Sequence, residues 1–137
     1  MNKSLKIVYW IARIVAAFIM LQTLYFKFTA SPESVYIFTK IGMEPWGRIA
    51  VGIMELIAAS LLLINAVPWV GAMLGFGLMV GAIGMHLTIL GIVVRNTDGT
   101  TDGGQLFIYA VIVTICCLFV LWVNKTRIAS MWASIRQ

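Results

Sequence analysis

Charge is what this sequence most lacks. Only 11% of its 137 residues are Asp, Glu, Lys or Arg, where soluble globular domains carry about 25%. With 61% hydrophobic residues and a mean hydropathy of +0.98, that scarcity excludes an ordinary soluble domain. It points to one small domain in a lipid bilayer, held by helix packing rather than by withdrawing apolar surface from water. Histidine is nearly missing: His86 stands alone, and one histidine does not make a metal site. The two cysteines, Cys116 and Cys117, are adjacent in an apolar run, and there is no C-x-x-C. A disulfide framework is therefore not expected, and both read as small packing residues. No phosphate loop, nucleophile triad or metal-ligand cluster is present. The net charge of +5 does not describe a nucleic-acid partner, because the basic residues flank apolar segments instead of forming a patch. Such flanks are topology signals and contacts to anionic headgroups.

What is there is a set of long apolar runs. Crossing the hydrocarbon takes about 20 residues of helix, and such segments fall at Ile7–Phe26, Gly47–Ile64, Trp69–Val94 and Gln105–Val123. The exit Phe26-Lys27-Phe28-Thr29-Ala30 offers no small-x-small cleavage site, so the first segment reads as a span and not a signal peptide. The expected architecture is an all-α integral membrane protein: one four-helix bundle over residues 1–137, with a short interfacial helix after the first span and an amphipathic helix at the C-terminal end. Ser31 as N-cap, Pro32 at the first helical position and Glu33 in the first turn predict the interfacial helix over Pro32–Ile41. Ile128, Met131, Trp132 and Ile135 follow helical spacing, with Lys125, Arg127 and Arg136 off that stripe, as in a helix resting among headgroups. The stretch Arg95–Gly104, with Asp-Gly pairs at 98–99 and 102–103, reads as an exposed, mobile loop. Four spans place both termini on one side. That side carries Lys3, Lys6, Lys125, Arg127 and Arg136 against Lys27, Lys40, Arg48 and Arg95 opposite, and Arg13 tips the balance further, so both termini are expected in the cytoplasm.

The polar residues inside the spans are the candidate sites, since a charge at the bilayer centre costs roughly 2.5–3.5 kcal/mol on insertion scales. Glu55, flanked by Gly52 and Ala59, is expected to face another helix. Measured from the cytoplasmic ends of their spans at 1.5 Å per residue, Arg13 lies at about 9 Å and Glu55 at about 13–14 Å. An Arg13–Glu55 ion pair is therefore expected. His86 lies in the outer part of the third span, near the depth of Gln22. Gly77, Gly81, Gly84, Thr88 and Gly91 line one face of that span, roughly opposite His86. With His86 facing inward, this seam faces outward and offers a homodimer contact. Lys27 and Arg48, near Tyr25, Glu33 and Glu44, mark the outer interface. They are either interfacial anchors or an electropositive mouth for an anionic substrate.

Arg13, "YFKF" ending the first span, "WGRIAVGIMELIAASLLLI" in the second and "GMHLTILG" in the third together resemble the DoxX/DoxX-like family of small four-helix membrane proteins. The pattern G-x-x-E-L-x-x-x-x-L-L-L around Glu55 is the most specific part of a resemblance that covers essentially the whole chain. It implies a bacterial cytoplasmic (inner) membrane protein. It also implies a link to redox or oxidative-stress assemblies, since the family is named from a subunit of a thiosulfate:quinone oxidoreductase. A redox-linked subunit working with a partner protein, with a quinone near His86, Gln22 and Tyr109, is the first functional expectation. Related proteins with thiol chemistry use paired loop cysteines, which this chain lacks. A small proton-coupled transporter using Glu55 is the second expectation, and a structural or assembly protein with Arg13–Glu55 as a packing clamp the third.

Overall fold

A computed structural model describes residues 1–137 as six α-helices with no strand: α1 (Lys3–Phe28), α2 (Pro32–Lys40), α3 (Trp46–Leu63), α4 (Pro68–Met85), α5 (Gln105–Val123) and α6 (Lys125–Ile135). Four of these segments are long and apolar enough to cross a membrane: α1, α3, α4 extended to Leu90, and α5. The chain is thus an all-α, multi-pass four-helix bundle suited to a lipid bilayer. The starts follow the local signals. The Asn2 side chain accepts from the Leu5 N–H at 2.8 Å at the head of α1, and Ser31 Oγ accepts from the Ser34 N–H at 3.3 Å at the head of α2. Each satisfies one orphan donor of a first turn.

Helices α1, α3, α4 and α5 pack in a closed ring in that order. The residues on its inside are mostly small: Ala16, Ala17, Ala58, Ala59 and Ala72 have 0–1% of their surface exposed, as do Met20, Val113 and Cys117. Many large apolar side chains point outward. Ile11, Ile14 and Phe18 on α1, Ile53 and Ile57 on α3, and Ile108 and Ile115 on α5 are all exposed. This inverts the soluble pattern and fits a bundle whose solvent is lipid, where close backbone approach replaces hydrophobic collapse.

The tightest approach is at Gly71. A methyl group there would lie 2.6 Å from the Leu62 nitrogen and 2.7 Å from the Ala58 oxygen, both backbone atoms of α3. At Gly77, Gly81 and Gly84 an added methyl meets nothing within 4 Å, and Thr88 is exposed. The seam therefore faces outward and His86 inward, as expected.

Two boundaries differ from expectation. The first span is longer, its helix running from Lys3 to Phe28. The third is shorter: α4 passes into one wide π-type turn, His86–Leu90, and Gly91 then reverses the chain at φ +80°. Gly91 therefore ends the span instead of extending the helical seam, and Val94 lies beyond it. Val94 is nevertheless fully buried, with its N–H donating to Asp102 Oδ1 at 2.8 Å.

The loop that follows is more ordered than its composition implied. Arg95 and Thr101 form an antiparallel bridge, and the Asn96 N–H donates to the Thr100 carbonyl at 2.9 Å. The Asn96 side chain donates to Glu33 on α2 at 3.0 Å. Asp98 accepts from both the hydroxyl and the N–H of Thr100, and these bonds hold its carboxyl below the usual carboxylate range. Asp102 also accepts from the N–H groups of Gly104 and Leu106, tying the loop to the head of α5. Local side-chain to backbone bonds of this kind give a polar segment an internal ladder of its own.

Charge divides sharply between the two ends of the bundle. The end bearing the termini carries Lys3, Lys6, Arg13, Lys125, Arg127 and Arg136 and no acidic side chain. The end bearing α2 and the 91–104 loop carries Lys27, Lys40, Arg48 and Arg95 together with all the acids: Glu33, Glu44, Glu55, Asp98 and Asp102.

Gly71→Ala is expected to lower the thermal midpoint in detergent, with a loss of about 1–3 kcal/mol, because backbone has to move to admit the methyl. Gly77→Ala, in open space, is expected to be neutral or to raise the midpoint through helix propensity. Circular dichroism melts of the two variants check the contrast, and equal effects would refute the crossing described at Gly71.

Candidate functional site

Two polar clusters lie inside the bundle, one toward each end. Toward the loop end, Lys27 Nζ lies 3.0 Å from Glu55 Oε2, and both side chains are largely buried. Thr23 on α1, whose hydroxyl also donates to the Met20 carbonyl at 2.9 Å, reaches the same carboxylate oxygen at 3.5 Å. Gly52, one turn before Glu55, lies against the ring of Phe28, where a methyl group would come within 2.8 Å of a ring carbon. Beside it, Arg48 donates from Nε to both oxygens of Glu44, at 2.9 and 3.0 Å, and from Nη2 to Oε1 at 2.9 Å. Its Nη1 donates to the Lys27 carbonyl at the end of α1. An arginine fork is suited to such bidentate bonding. Lys27 and Arg48 are each spent on a carboxylate, so the electropositive mouth considered from the sequence is not formed.

Toward the terminal end, Arg13 is 1% exposed and has no carboxylate partner. Its Nε donates to the Leu62 carbonyl at 2.6 Å and its Nη1 to Asn65 Oδ1 at 3.1 Å. The guanidinium lies 3.9 Å from the centre of the Trp10 ring and 5.2 Å from that of Tyr9. Nη2 is buried without a partner in the chain. Leu62 belongs to the last turn of α3, where the carbonyls have no intrahelical donor and the helix dipole presents partial negative charge. Arg13 thus caps α3 from the side, with aromatic faces adding cation–π attraction. One step further, the Asn124 side chain donates to the Tyr9 hydroxyl at 2.9 Å and to the Val120 carbonyl at 2.8 Å, joining the end of α5 to α1.

The expected Arg13–Glu55 pair is therefore corrected. The depth estimate set the ends of the first two spans level. In the structure α1 has 26 residues and α3 has 18, and α1 projects well past the end of α3. Arg13 lies level with Leu62 and Asn65, while Glu55 lies level with the segment from Thr23 to Lys27. The ten residues from Arg13 to Thr23 correspond to roughly 15 Å along the helix. Lys27, read from the sequence as an interfacial group, is the true partner of Glu55.

His86 is 5% exposed, and its Nδ1 lies 2.9 Å from the Gly91 carbonyl. A carbonyl only accepts, so Nδ1 carries a proton, and in the tautomer that this selects Nε2 is the acceptor. Nε2 has no hydrogen-bond partner in the chain. Phe107 meets the ring edge-on at 5.8 Å. Gln22 is half-buried and bonds to neither His86 nor Tyr109, and the Tyr109 hydroxyl accepts from Gln105 Nε2 at 2.6 Å. His86, Gln22 and Tyr109 are thus not joined by hydrogen bonds.

Sequence reasoning missed Asn65, Asn124, Tyr9 and Asp102. Asn65 and Asn124 both follow the last residue of an apolar run, where a polar side chain often serves a helix end, and that was the available signal. No family model, curated protein or solved structure matches the chain, so function is argued from geometry.

Arg13→Lys is expected to cost about 1–3 kcal/mol, because an ammonium cannot hold two acceptors in one plane while lying flat on Trp10. Unfolding in mixed micelles, followed by tryptophan fluorescence, checks this. Wild-type stability in Arg13→Lys would refute the capping role.

Proposed function

We propose that the protein is a structural or assembly subunit of the bacterial cytoplasmic membrane, with both termini in the cytoplasm. In this reading its buried charges fasten helices and carry no protons. One observation supports it above the rest. Between the Lys27–Glu55 pair and the Arg13 cluster lies a layer made by Ala16, Ala17, Met20, Ala58, Ala59, Val113 and Cys117, each at most 1% exposed. Side chains with no accessible surface line no water-sized space, so no wet path joins the two clusters. A carrier glutamate needs access to both sides of the membrane, whereas Glu55 is paired and covered from one side. The charge division supports the orientation, since loops rich in Lys and Arg stay in the cytoplasm.

The resemblance to DoxX-like proteins supports a redox assembly as the setting, and one feature favours a quinone there. The unpartnered Nε2 of His86, at a π-type turn of the kind that often marks functional sites, could accept a hydrogen bond from a quinol hydroxyl. In this second reading the chain holds the lipid-soluble cofactor for a redox partner protein.

The readings separate by experiment. Lys27→Met and Glu55→Leu are each expected to cost about 3–5 kcal/mol, because each strands a buried charge, while the double variant regains most of that loss. In liposomes under a pH gradient, the purified protein is expected to pass no more protons than Glu55→Gln. Proton uptake that Glu55→Gln abolishes would overturn the structural reading. For the quinone reading, protein purified from native membranes is expected to retain quinone in lipid extracts and His86→Leu to lose it. Equal quinone content in the two preparations would remove His86 from that role.

A further inference from the structure

A cleft of about 440 Å³ lies between α6 and the turn joining α3 to α4, apart from both internal clusters. It is an open surface depression, so its chemistry rather than its size carries the argument. Its walls are the 66–69 turn, ending in Trp69, and Arg127, Ser130, Met131 and Ser134 from α6. We propose that this cleft binds the headgroup of an anionic phospholipid.

The chemistry of the α6 wall carries the first part of the argument. Arg127, Ser130 and Ser134 stand at i, i+3 and i+7, on one face of the helix. They supply one guanidinium and two hydroxyls and no acid. Each serine hydroxyl donates to a carbonyl of α6 itself, Ser130 to Arg127 at 2.9 Å and Ser134 to Met131 at 2.8 Å. A hydroxyl can turn to a new acceptor, and an arginine fork matches two phosphate oxygens. No acidic side chain exists anywhere at this end of the bundle, while Lys3, Lys6, Lys125 and Arg136 add positive charge. An anion is therefore the occupant that this end favours.

The second part identifies the anion as a lipid. At about 100° per residue, the stripe Ile128, Met131, Trp132 and Ile135 lies about a quarter turn round α6 from the cleft face. Met131 belongs to both. Ile128 is partly covered by the chain, but Met131, Trp132 and Ile135 are 38%, 54% and 68% exposed, so the stripe is open along its outer part. A helix with such a stripe rests at the boundary of headgroups and acyl chains. Trp69, on the opposite wall, is a residue type that anchors at this level. A phospholipid whose chains follow the stripe brings its phosphate directly to Arg127, Ser130 and Ser134. A soluble phosphate would leave the apolar stripe unused.

Native mass spectrometry of the full chain, released from nanodiscs of mixed phosphatidylglycerol and phosphatidylcholine, tests the proposal. One phosphatidylglycerol per chain is expected to survive release, in preference to phosphatidylcholine. Arg127→Gln is expected to cut its retention about tenfold, the worth of one charge-assisted hydrogen bond. Lys125→Gln removes the same charge on the same helix. Lys125 Nζ lies 5.3 Å from the centre of the Trp122 ring, outside the cleft, so that variant is expected to change retention less than about twofold. Should Arg127→Gln reduce helix content, Ser134→Leu fills the cleft without changing charge and is expected to show the same loss. Equal retention of the two lipids, or equal losses in Arg127→Gln and Lys125→Gln, would reduce the effect to surface charge and overturn the site. Displacement of the lipid by inorganic phosphate would reassign the cleft to a soluble anion. A dimer peak in place of the lipid adduct would reassign it to a second copy of the chain.

Discussion

The register of α1 against α3 is fixed at two points, and the rest of the bundle is built around it. At one end Arg13 holds the Leu62 carbonyl in the last turn of α3 and the Asn65 side chain. At the other Lys27 holds Glu55. In water such contacts would compete with solvent and contribute little. In hydrocarbon the alternative is an unpaired charge or an unsatisfied carbonyl, and each is expensive. The two contacts therefore act as stops. Sliding α1 by one turn along α3 would break both, so a single register is selected among many that would bury the same apolar surface.

Small residues between the stops follow from that choice. With α1 and α3 held close, only alanines fit at Ala16, Ala17, Ala58 and Ala59, and Gly71 lets α4 come against the same helix. The layer between the two polar clusters is consequently tightly packed. The polar residues that first suggest a path through the bundle are paired within two separate clusters, with that apolar layer between them. Toward the periphery His86 keeps one ring nitrogen without a partner in the chain, and α6 and the 66–69 turn leave a cleft between them.

The sequence conveyed the spans, the interfacial helix and the inward-facing Glu55 and His86, because burial and helix caps act over a few residues and leave local patterns. The fourth span matches its predicted limits at Gln105 and Val123, since an Asp-Gly turn precedes it and an asparagine follows. The pairing of Glu55 was not legible. It depends on how far α1 overhangs α3, which no local pattern records, and a lysine at the end of an apolar run looks the same whether it anchors in headgroups or folds inward. The order in the 91–104 loop was hidden for the opposite reason. Its polar composition suits water, but Asp98 and Asp102 direct their oxygens to nearby backbone N–H groups and build a ladder without apolar residues.

The two ends of the bundle solve the problem of charge differently, and the difference bears on what each end meets. At the loop end two acids are paired with cations, Glu55 with Lys27 and Glu44 with Arg48, while Glu33, Asp98 and Asp102 accept from amide, hydroxyl and backbone N–H groups. Acids and cations are thus mixed at that end, five against four, and their long-range fields largely cancel. At the terminal end no carboxylate side chain is available, and Arg13 is held inside the bundle by the Leu62 carbonyl, the Asn65 amide oxygen and the rings of Trp10 and Tyr9. The remaining five cations keep their field and need counter-charge from outside the chain. A soluble protein would take it from salt. Here α6 carries Arg127 at the rim of a cleft and presents an apolar stripe alongside. The counter-charge best placed to meet both is itself part apolar, which makes the surrounding leaflet a component of the folded structure.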